Sequence, residues 1–302
     1  MCNNLLFIDW QPDIELLNVG SFSIRWYSIM WIVGLALAYF IVKFLYEKQQ
    51  IPKEKFDPLF IYCFLGVIIG ARLGHCLFYE PDYFLGSMKG FIEMFLPIRF
   101  APDSWNWTFS GYSGLASHGG VIGVFIGMLL YMKKTKVSLM ITLDNVSIAA
   151  PITACFIRLG NLMNSEIIGS QTDVPWAFLF HTREAVVDGQ IVPRHPAQLY
   201  EAIAYLIIFV IGLLIYVKHN KTSLKSDEIV QKNRKYVPGT GFYFGYCIAT
   251  IFLFRFCVEF IKKEQVDFER AMILDMGQIL SIPLIIIGFY FLFRKSSETK
   301  NK

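Results

Sequence analysis

The chain has 302 residues, of which 55% are hydrophobic, 16% aromatic and only 17% charged, far more apolar than a soluble domain requires. That balance excludes a water-soluble fold and points to an all-α membrane protein, and the formal charge of +4 is too small to suggest a nucleic-acid partner. The six cysteines, Cys2, Cys63, Cys76, Cys155, Cys247 and Cys257, fall almost wholly in apolar runs without a Cys-x-x-Cys pair or a Cys/His grouping of zinc spacing, so no metal or other cofactor is implied.

The N-terminus, Met1 to Leu17, carries Asp9, Asp13 and Glu15 and no basic residue. It lacks the charge layout of a cleavable signal peptide, which leaves targeting to the first span. Crossing about 30 Å of hydrocarbon takes roughly 20 apolar residues. Seven segments come close: Ile24 to Tyr46, Phe56 to Tyr79, Leu115 to Met132, Leu139 to Leu159, Leu199 to Val217, Gly241 to Ile261 and Gly277 to Phe293. The expectation is a single integral membrane catalytic domain over residues 1–302, with seven transmembrane helices. External insertions are expected at 80–112 and 160–197 and a cytoplasmic loop at 218–236. Gly90 to Phe100 is too short to span and mixes charge with bulky apolar groups, as an interfacial segment does. Trp105, Trp107 and Trp176 fit an aromatic belt at the same level. The insertion from Gly160 to Ala197 is too long for a mere connection and predicts a small external subdomain.

The loops alternate between two kinds. The basic set, Glu47 to Lys55, Lys133 to Lys136, Lys218 to Lys235 and the tail from Arg294, holds 17 of the 28 lysines and arginines once Lys43 is counted with the first loop. The positive-inside rule puts this set in the cytoplasm, with the N-terminus outside and the C-terminus inside. Lys262, Lys263 and Arg270 depart from the rule in the last external loop, beside Glu264, Asp267 and Glu269, which partly neutralise them.

With that topology the unusual polar residues converge on the outer leaflet. Arg72 lies seven residues inside the outer end of the second span and Arg255 six inside that of the sixth, about 10 Å deep at ~1.5 Å per residue. Arg158 closes the fourth span, Arg25 and Tyr27 begin the first, His118 opens the third, and His195, Gln198 and Glu201 open the fifth. Charge this deep is costly in lipid and marks a polar cavity. On a helix Arg158 and Asn161 share a face, with Glu166 less well aligned, and Gly160 and Gly169 are where that helix bends or stops. Arginine rather than lysine at positions 72, 158 and 255 suits a planar fork gripping phosphate oxygens. Glu259, four residues after Arg255, either neutralises it for insertion or orients it toward an anion. His118 lies beside Gly114, Gly119 and Gly120, which permit close approach of backbone and ligand; its imidazole is either a general base or a structural donor. His195-Pro196 reads as a helix-entry cap. These residues describe an outer-leaflet cavity for a phosphate-bearing amphiphile. An anionic-solute or lipid transporter is the competing reading, although no internal repeat supports it. A seven-span receptor would match the topology but needs no deep arginines.

The segment Arg158-Leu-Gly-Asn161-Leu-Met-Asn164-Ser-Glu166-Ile-Ile-Gly169 resembles the hallmark of bacterial prolipoprotein diacylglyceryl transferases. Arg25-Trp-Tyr27, Ala71-Arg72-Leu-Gly-His-Cys-Leu-Phe-Tyr79, Ser117-His118-Gly-Gly120, His195-Pro-Ala-Gln-Leu-Tyr-Glu201, Phe254-Arg255-Phe-Cys-Val-Glu259 and Gln278-Ile-Leu-Ser281 are similar to the same family, so the likeness runs along essentially the whole chain. The resemblance implies transfer of the diacylglyceryl group of phosphatidylglycerol to the lipobox cysteine of a prolipoprotein signal peptide, at the outer leaflet of the bacterial cytoplasmic membrane. It implies phosphate binding and leaving-group stabilisation by Arg158 and Arg255, with Arg72 as a supporting phosphate contact. It makes His118 the candidate base and Tyr27 a substrate-positioning residue. It implies that Asn161, Glu166 and Gly169, with Asn164 beside them, shape the head-group pocket, and Glu259 is counted among the substrate-binding residues.

Overall fold

A computed structural model describes residues 7–19, 22–111, 114–220, 234–262 and 274–294. Among these, six helices are long and apolar enough to cross a membrane: α1 (Trp26–Lys48), α2 (Lys53–Phe78), α6 (Leu139–Met163), α7 (Ala197–His219), α8 (Phe242–Glu259) and α9 (Met276–Phe293). They match six of the seven expected spans. The other expected span is the 19-residue helix α5 (Ser117–Thr135), which is not one of those six. Ile32, Phe40 and Leu214 are 62%, 63% and 62% exposed, a side-chain surface suited to hydrocarbon. Most of the expected basic loop from Lys218 to Lys235, and Lys263, Glu264, Asp267, Glu269 and Arg270, lie outside the described residues.

The chain divides into two compact units, Tyr46–Thr142 and the remainder. In the first, α2 and α5 pack along facing glycines. A Cβ at Gly123 would stand 2.0 Å from the Gly66 carbonyl oxygen, one at Gly70 2.3 Å from that of Gly119, and one at Gly127 2.4 Å from that of Tyr62. The two backbones therefore touch, with room for nothing larger than hydrogen. Gly119 is thus occupied by helix packing rather than kept open for a ligand, whereas a Cβ at Gly120 would meet its nearest atom only at 3.6 Å.

The expected interfacial segment is built as α3 (Pro81–Leu85), α4 (Met88–Phe95) and a hairpin of β4 (Ile98–Phe100) with β5 (Trp107–Phe109). Ser87 caps α4 by accepting from the Gly90 N–H at 3.0 Å. Glu93, 1% exposed, binds the group together: it accepts from the Tyr83 hydroxyl at 2.6 Å and from the Phe100 N–H at 2.7 Å. Phe91, Phe95, Trp105 and Trp107 remain exposed, which gives this piece the apolar face of an interfacial element.

The second unit holds α6 to α9, most of α1 and the remaining strands. The N-terminal segment, which the sequence leaves without structure, forms a hairpin of β2 (Glu15–Val19) and β3 (Phe22–Arg25). It also contributes β1 (Ile8–Trp10), which runs parallel to β6 (Phe178–Phe180). Trp10 and Leu199 pack there on Leu162, Ile168, Phe178, Phe180 and Ala185. The helices meet at small residues: Gly34 on Thr153, Gly160 on Tyr27, and Gly245 and Gly288 across α8 and α9.

Asp144, fully buried on α6, closes the start of α8 from outside that helix. It accepts from the N–H groups of Gly239 at 2.7 Å, Gly241 at 2.9 Å and Phe244 at 2.9 Å. Those of Gly241, the N-cap, and Phe244 are donors a helix start leaves without intrahelical partners, and that of Gly239 belongs to the turn before it. Asp144→Ala therefore orphans one buried amide, that of Gly241, and two part-buried ones, and a stability loss of about 3 kcal/mol is expected. It would appear as a lowered unfolding midpoint in detergent, and an unchanged midpoint contradicts the capping role.

Candidate active site

The hallmark segment starts as helix and ends as a turn. α6 runs on through Gly160 to Met163, so Gly160 does not stop it. Its missing side chain serves packing instead, since a Cβ there would come within 2.8 Å of the Tyr27 ring. That contact places Tyr27, the second residue of α1, against the residue that precedes Asn161. Beyond Met163 the chain turns through Ser165 (φ 53°) and Ile167 (φ 61°). A β-branched residue at positive φ is strained by about 1–3 kcal/mol. This turn, rather than a glycine, is what brings Glu166 back under the helix.

The result is a continuous polar network. Arg158 Nη1 donates to Asn161 Oδ1 at 3.1 Å, and Asn161 Nδ2 donates to Glu166 Oε1 at 2.8 Å. Asn164 Nδ2 donates to the same oxygen at 3.2 Å, and Gln198 Nε2 to the Glu166 carbonyl at 2.5 Å. The amide orientations follow from this network. On its other side Arg158 Nε faces Glu201 Oε2 at 3.0 Å. Arg158 is held by Asn161 and Glu201, with the Tyr205 side chain also beside it.

Glu201, fully buried, accepts from the Tyr205 hydroxyl at 3.0 Å through Oε1. Its Oε2 lies 3.3 Å from Lys262 Nζ, and Lys262 also reaches Glu259 Oε2 at 3.1 Å. Oε2 thus stands between two cations as an ion-pair partner of both. Arg255 lies close enough to Tyr205 to act on its hydroxyl electrostatically. No hydrogen bond or ion pair reaches it among the described residues. The charged residues of these contacts are Arg158 and Lys262 with Glu166, Glu201 and Glu259. Arg158 and Lys262 each face a carboxylate, whereas Arg255 faces none among the described residues.

Gly169 fits where no larger residue can. A Cβ there would stand 2.5 Å from His195 Cβ and 2.9 Å from the Ile261 carbonyl oxygen, while its N–H donates to the His195 carbonyl at 2.9 Å. Arg194 Nη1 covers its carbonyl at 3.2 Å. The expected helix cap at His195 is not made. Pro196 occupies the cap position with no side-chain cap bond, and His195 Nδ1 meets the Tyr200 hydroxyl at 3.1 Å. Burial pushes the His195 imidazole below its usual pKa, so it is the neutral ring that shares this hydrogen bond at neutral pH.

Arg72 and His118 belong to the other unit. Arg72 donates from Nη2 to the Glu93 carbonyl at 2.6 Å and from Nε to the Met94 carbonyl at 3.3 Å, and lies 4.8 Å from the centre of the Phe84 ring. It thus also anchors α4. His118 stands exposed in the first turn of α5 and makes no hydrogen bond among the described residues.

A family model described as prolipoprotein diacylglyceryl transferase matches residues 15–294. The chain belongs to the prolipoprotein diacylglyceryl transferase family. It is 52% identical over 293 residues to the phosphatidylglycerol-prolipoprotein diacylglyceryl transferase of Bacteroides fragilis, covering 97% of each chain. It is 36% identical over 295 residues to the protein of that name from Chloroherpeton thalassium, covering 97% of this chain and 96% of that one. The Campylobacter jejuni protein of the same name is 34% identical over 289 residues, covering 92% and 93%.

For a diacylglyceryl transferase family member, the unit holding the hallmark segment contains Tyr27, Arg158, Asn161, Asn164, Glu166, Gly169, Arg255 and Glu259, from three stretches of chain. Sequence reasoning placed Glu201 at the cavity without naming its partners and gave no role to Tyr205 or Lys262. Glu201 and Tyr205 are four apart and share a helix face, and Lys262 follows Glu259 by three. The spacing was there to be read, but not the meeting of α6, α7 and α8.

Proposed function

We propose that the protein transfers the sn-1,2-diacylglyceryl group of phosphatidylglycerol to the lipobox cysteine of prolipoproteins. The cysteine sulfur bonds to the glyceryl carbon, that carbon's bond to the phosphate oxygen breaks, and glycerol 1-phosphate leaves. The observation that carries this reading is the near full-length match to transferases of that name. A lipid or anionic-solute transporter is not favoured by it.

The chemistry has two needs. A thiol of pKa about 8.5 is mostly protonated at neutral pH, so its proton must be taken up. Negative charge then grows on the departing phosphate, where fixed cations in a water-poor site are most effective. Arg255 is the open phosphate ligand in this reading, and Arg158, braced by Glu201 and Asn161, is the pre-oriented one. Asn161, Asn164, Glu166 and Gly169 shape the head-group pocket, Tyr27 positions the substrate, and Glu259 belongs to the charge balance around Arg255. His118 takes the thiol proton. Arg72 supplies a supporting phosphate contact.

The finer topology belongs to the same proposal. α5 is the seventh span, the two units work as one catalytic domain in the bacterial cytoplasmic membrane, and the chain enters from outside and ends in the cytoplasm. The reaction takes place toward the outer leaflet, beside a small external subdomain containing β6.

Purified protein given phosphatidylglycerol and a lipobox peptide should add one diacylglyceryl mass to the cysteine and release one glycerol 1-phosphate. A peptide of unchanged mass would sink the proposal. His118→Asn should slow transfer most at mildly acidic to neutral pH, where few thiols are ionised, and the gap should narrow as pH rises toward the thiol pKa. A pH–rate profile parallel to the wild type would remove His118 as the base.

A further inference from the structure

Arg255 and Glu259 stand four residues apart on α8, a spacing that favours an ion pair. The pair is not made. Glu259 instead faces Lys262 Nζ at 3.1 Å, and Lys262 reaches Glu201 Oε2 on α7 at 3.3 Å. The Lys262 side chain is only 3% exposed between these carboxylates, so water does little to screen the attraction.

Lys262 is set in this place by backbone, not by chance of a long side chain. Its residue bridges antiparallel to Gly169, and the Ser170 N–H donates to the Ile261 carbonyl at 2.8 Å. The close approach that only glycine at 169 allows is therefore what seats Lys262 beside the hallmark segment. A second glycine makes room for the carboxylate it holds: a Cβ at Gly277, at the head of α9, would stand 2.7 Å from Glu259 Oε1.

We infer that Lys262 is a positioning residue that holds Glu259 away from Arg255 and so keeps the Arg255 guanidinium open for the phosphate of the lipid substrate. A partly buried carboxylate deprived of its cation turns to the nearest alternative, and for Glu259 that is Arg255, one helical turn away. Phosphate would then have to displace a carboxylate before binding. The competent fraction of the protein falls, and the apparent affinity falls with it. Arg158 is unaffected in kind, because Glu201 already braces it from the other side. The inference rests on the proposed phosphate role of Arg255.

The test is a double-mutant cycle on the full-length protein in detergent with phosphatidylglycerol and a lipobox peptide. Lys262→Met should raise KM for phosphatidylglycerol about tenfold while changing kcat less than about threefold. Lys262→Arg should restore KM to within about threefold of wild type. In a Glu259→Gln background Lys262→Met should change KM less than about twofold, since no carboxylate is left to restrain. Titration with phosphatidylglycerol gives the same cycle as dissociation constants, so a slow Glu259→Gln enzyme still reports. Equal effects of Lys262→Met in both backgrounds, or a loss confined to kcat, would overturn the inference. A wild-type protein that leaves the peptide unmodified would overturn the proposed function instead.

Discussion

Arg158→Ala is expected to lower kcat/KM for diacylglyceryl transfer about a hundred- to a thousandfold while leaving the protein folded. The two halves of that expectation have separate causes. In the proposed reaction activity falls because Arg158 brings a guanidinium, fixed by Glu201 at 3.0 Å and Asn161 at 3.1 Å, to the place where charge develops on a leaving phosphate. A thousandfold corresponds to about 4 kcal/mol of transition-state stabilisation. The fold survives because Glu201 is not left alone: Lys262 remains at 3.3 Å and the Tyr205 hydroxyl at 3.0 Å. Without them, a buried carboxylate that lost its partner would cost about 3–5 kcal/mol. Arg158→Lys should fall between wild type and Arg158→Ala, since it keeps the charge and loses the fork. Turnover of Arg158→Ala within a few-fold of wild type would remove Arg158 from the mechanism, provided its unfolding midpoint is normal.

Gly123→Ala should be the most damaging single-methyl change for the fold. The added Cβ would stand 2.0 Å from the Gly66 carbonyl oxygen and 2.9 Å from Gly70 Cα. Both obstacles are backbone, so no side chain can turn aside, and α2 and α5 must separate along their length. The loss is expected to exceed about 4 kcal/mol, the range reserved for core overpacking and comparable faults. Gly120→Ala is the internal control. It lies on the same helix, yet its Cβ would meet only Ala71 Cβ, at 3.6 Å, an ordinary contact. Unfolding midpoints and protease resistance in detergent should separate the two substitutions widely. Similar behaviour of both would contradict the close packing of these helices.

Local chemistry made much of this protein readable from its sequence. Runs of about 20 apolar residues locate helices because the bilayer leaves backbone groups no other partners, and the expected spans fall on α1, α2, α6, α7, α8 and α9 within a few residues. Arg158 and Asn161 were legible as neighbours because three residues is one turn. The glycine spacing of four on both α2, at 66, 70 and 74, and α5, at 119, 123 and 127, was a usable signal of close helix packing that went unread. What spacing cannot give is which helices meet. Arg158 with Glu201, and Glu201 with Lys262, are separated by 43 and 61 positions, and Lys262 looked like a misplaced loop charge until its two carboxylates came into view. Local spacing also misled once: the favourable distance between Arg255 and Glu259 is overridden by a better-buried cation from beyond the end of the helix.

Equilibrium binding of two lipids that differ only in their phosphate head tests most directly the claim that these arginines grip phosphate. Phosphatidylglycerol and diacylglycerol would be titrated against wild type and Arg255→Ala. Arg255→Ala should weaken phosphatidylglycerol by about tenfold or more, the worth of one charge-assisted contact, and leave diacylglycerol unchanged. Equal losses for both lipids, or no loss for either, would contradict the account.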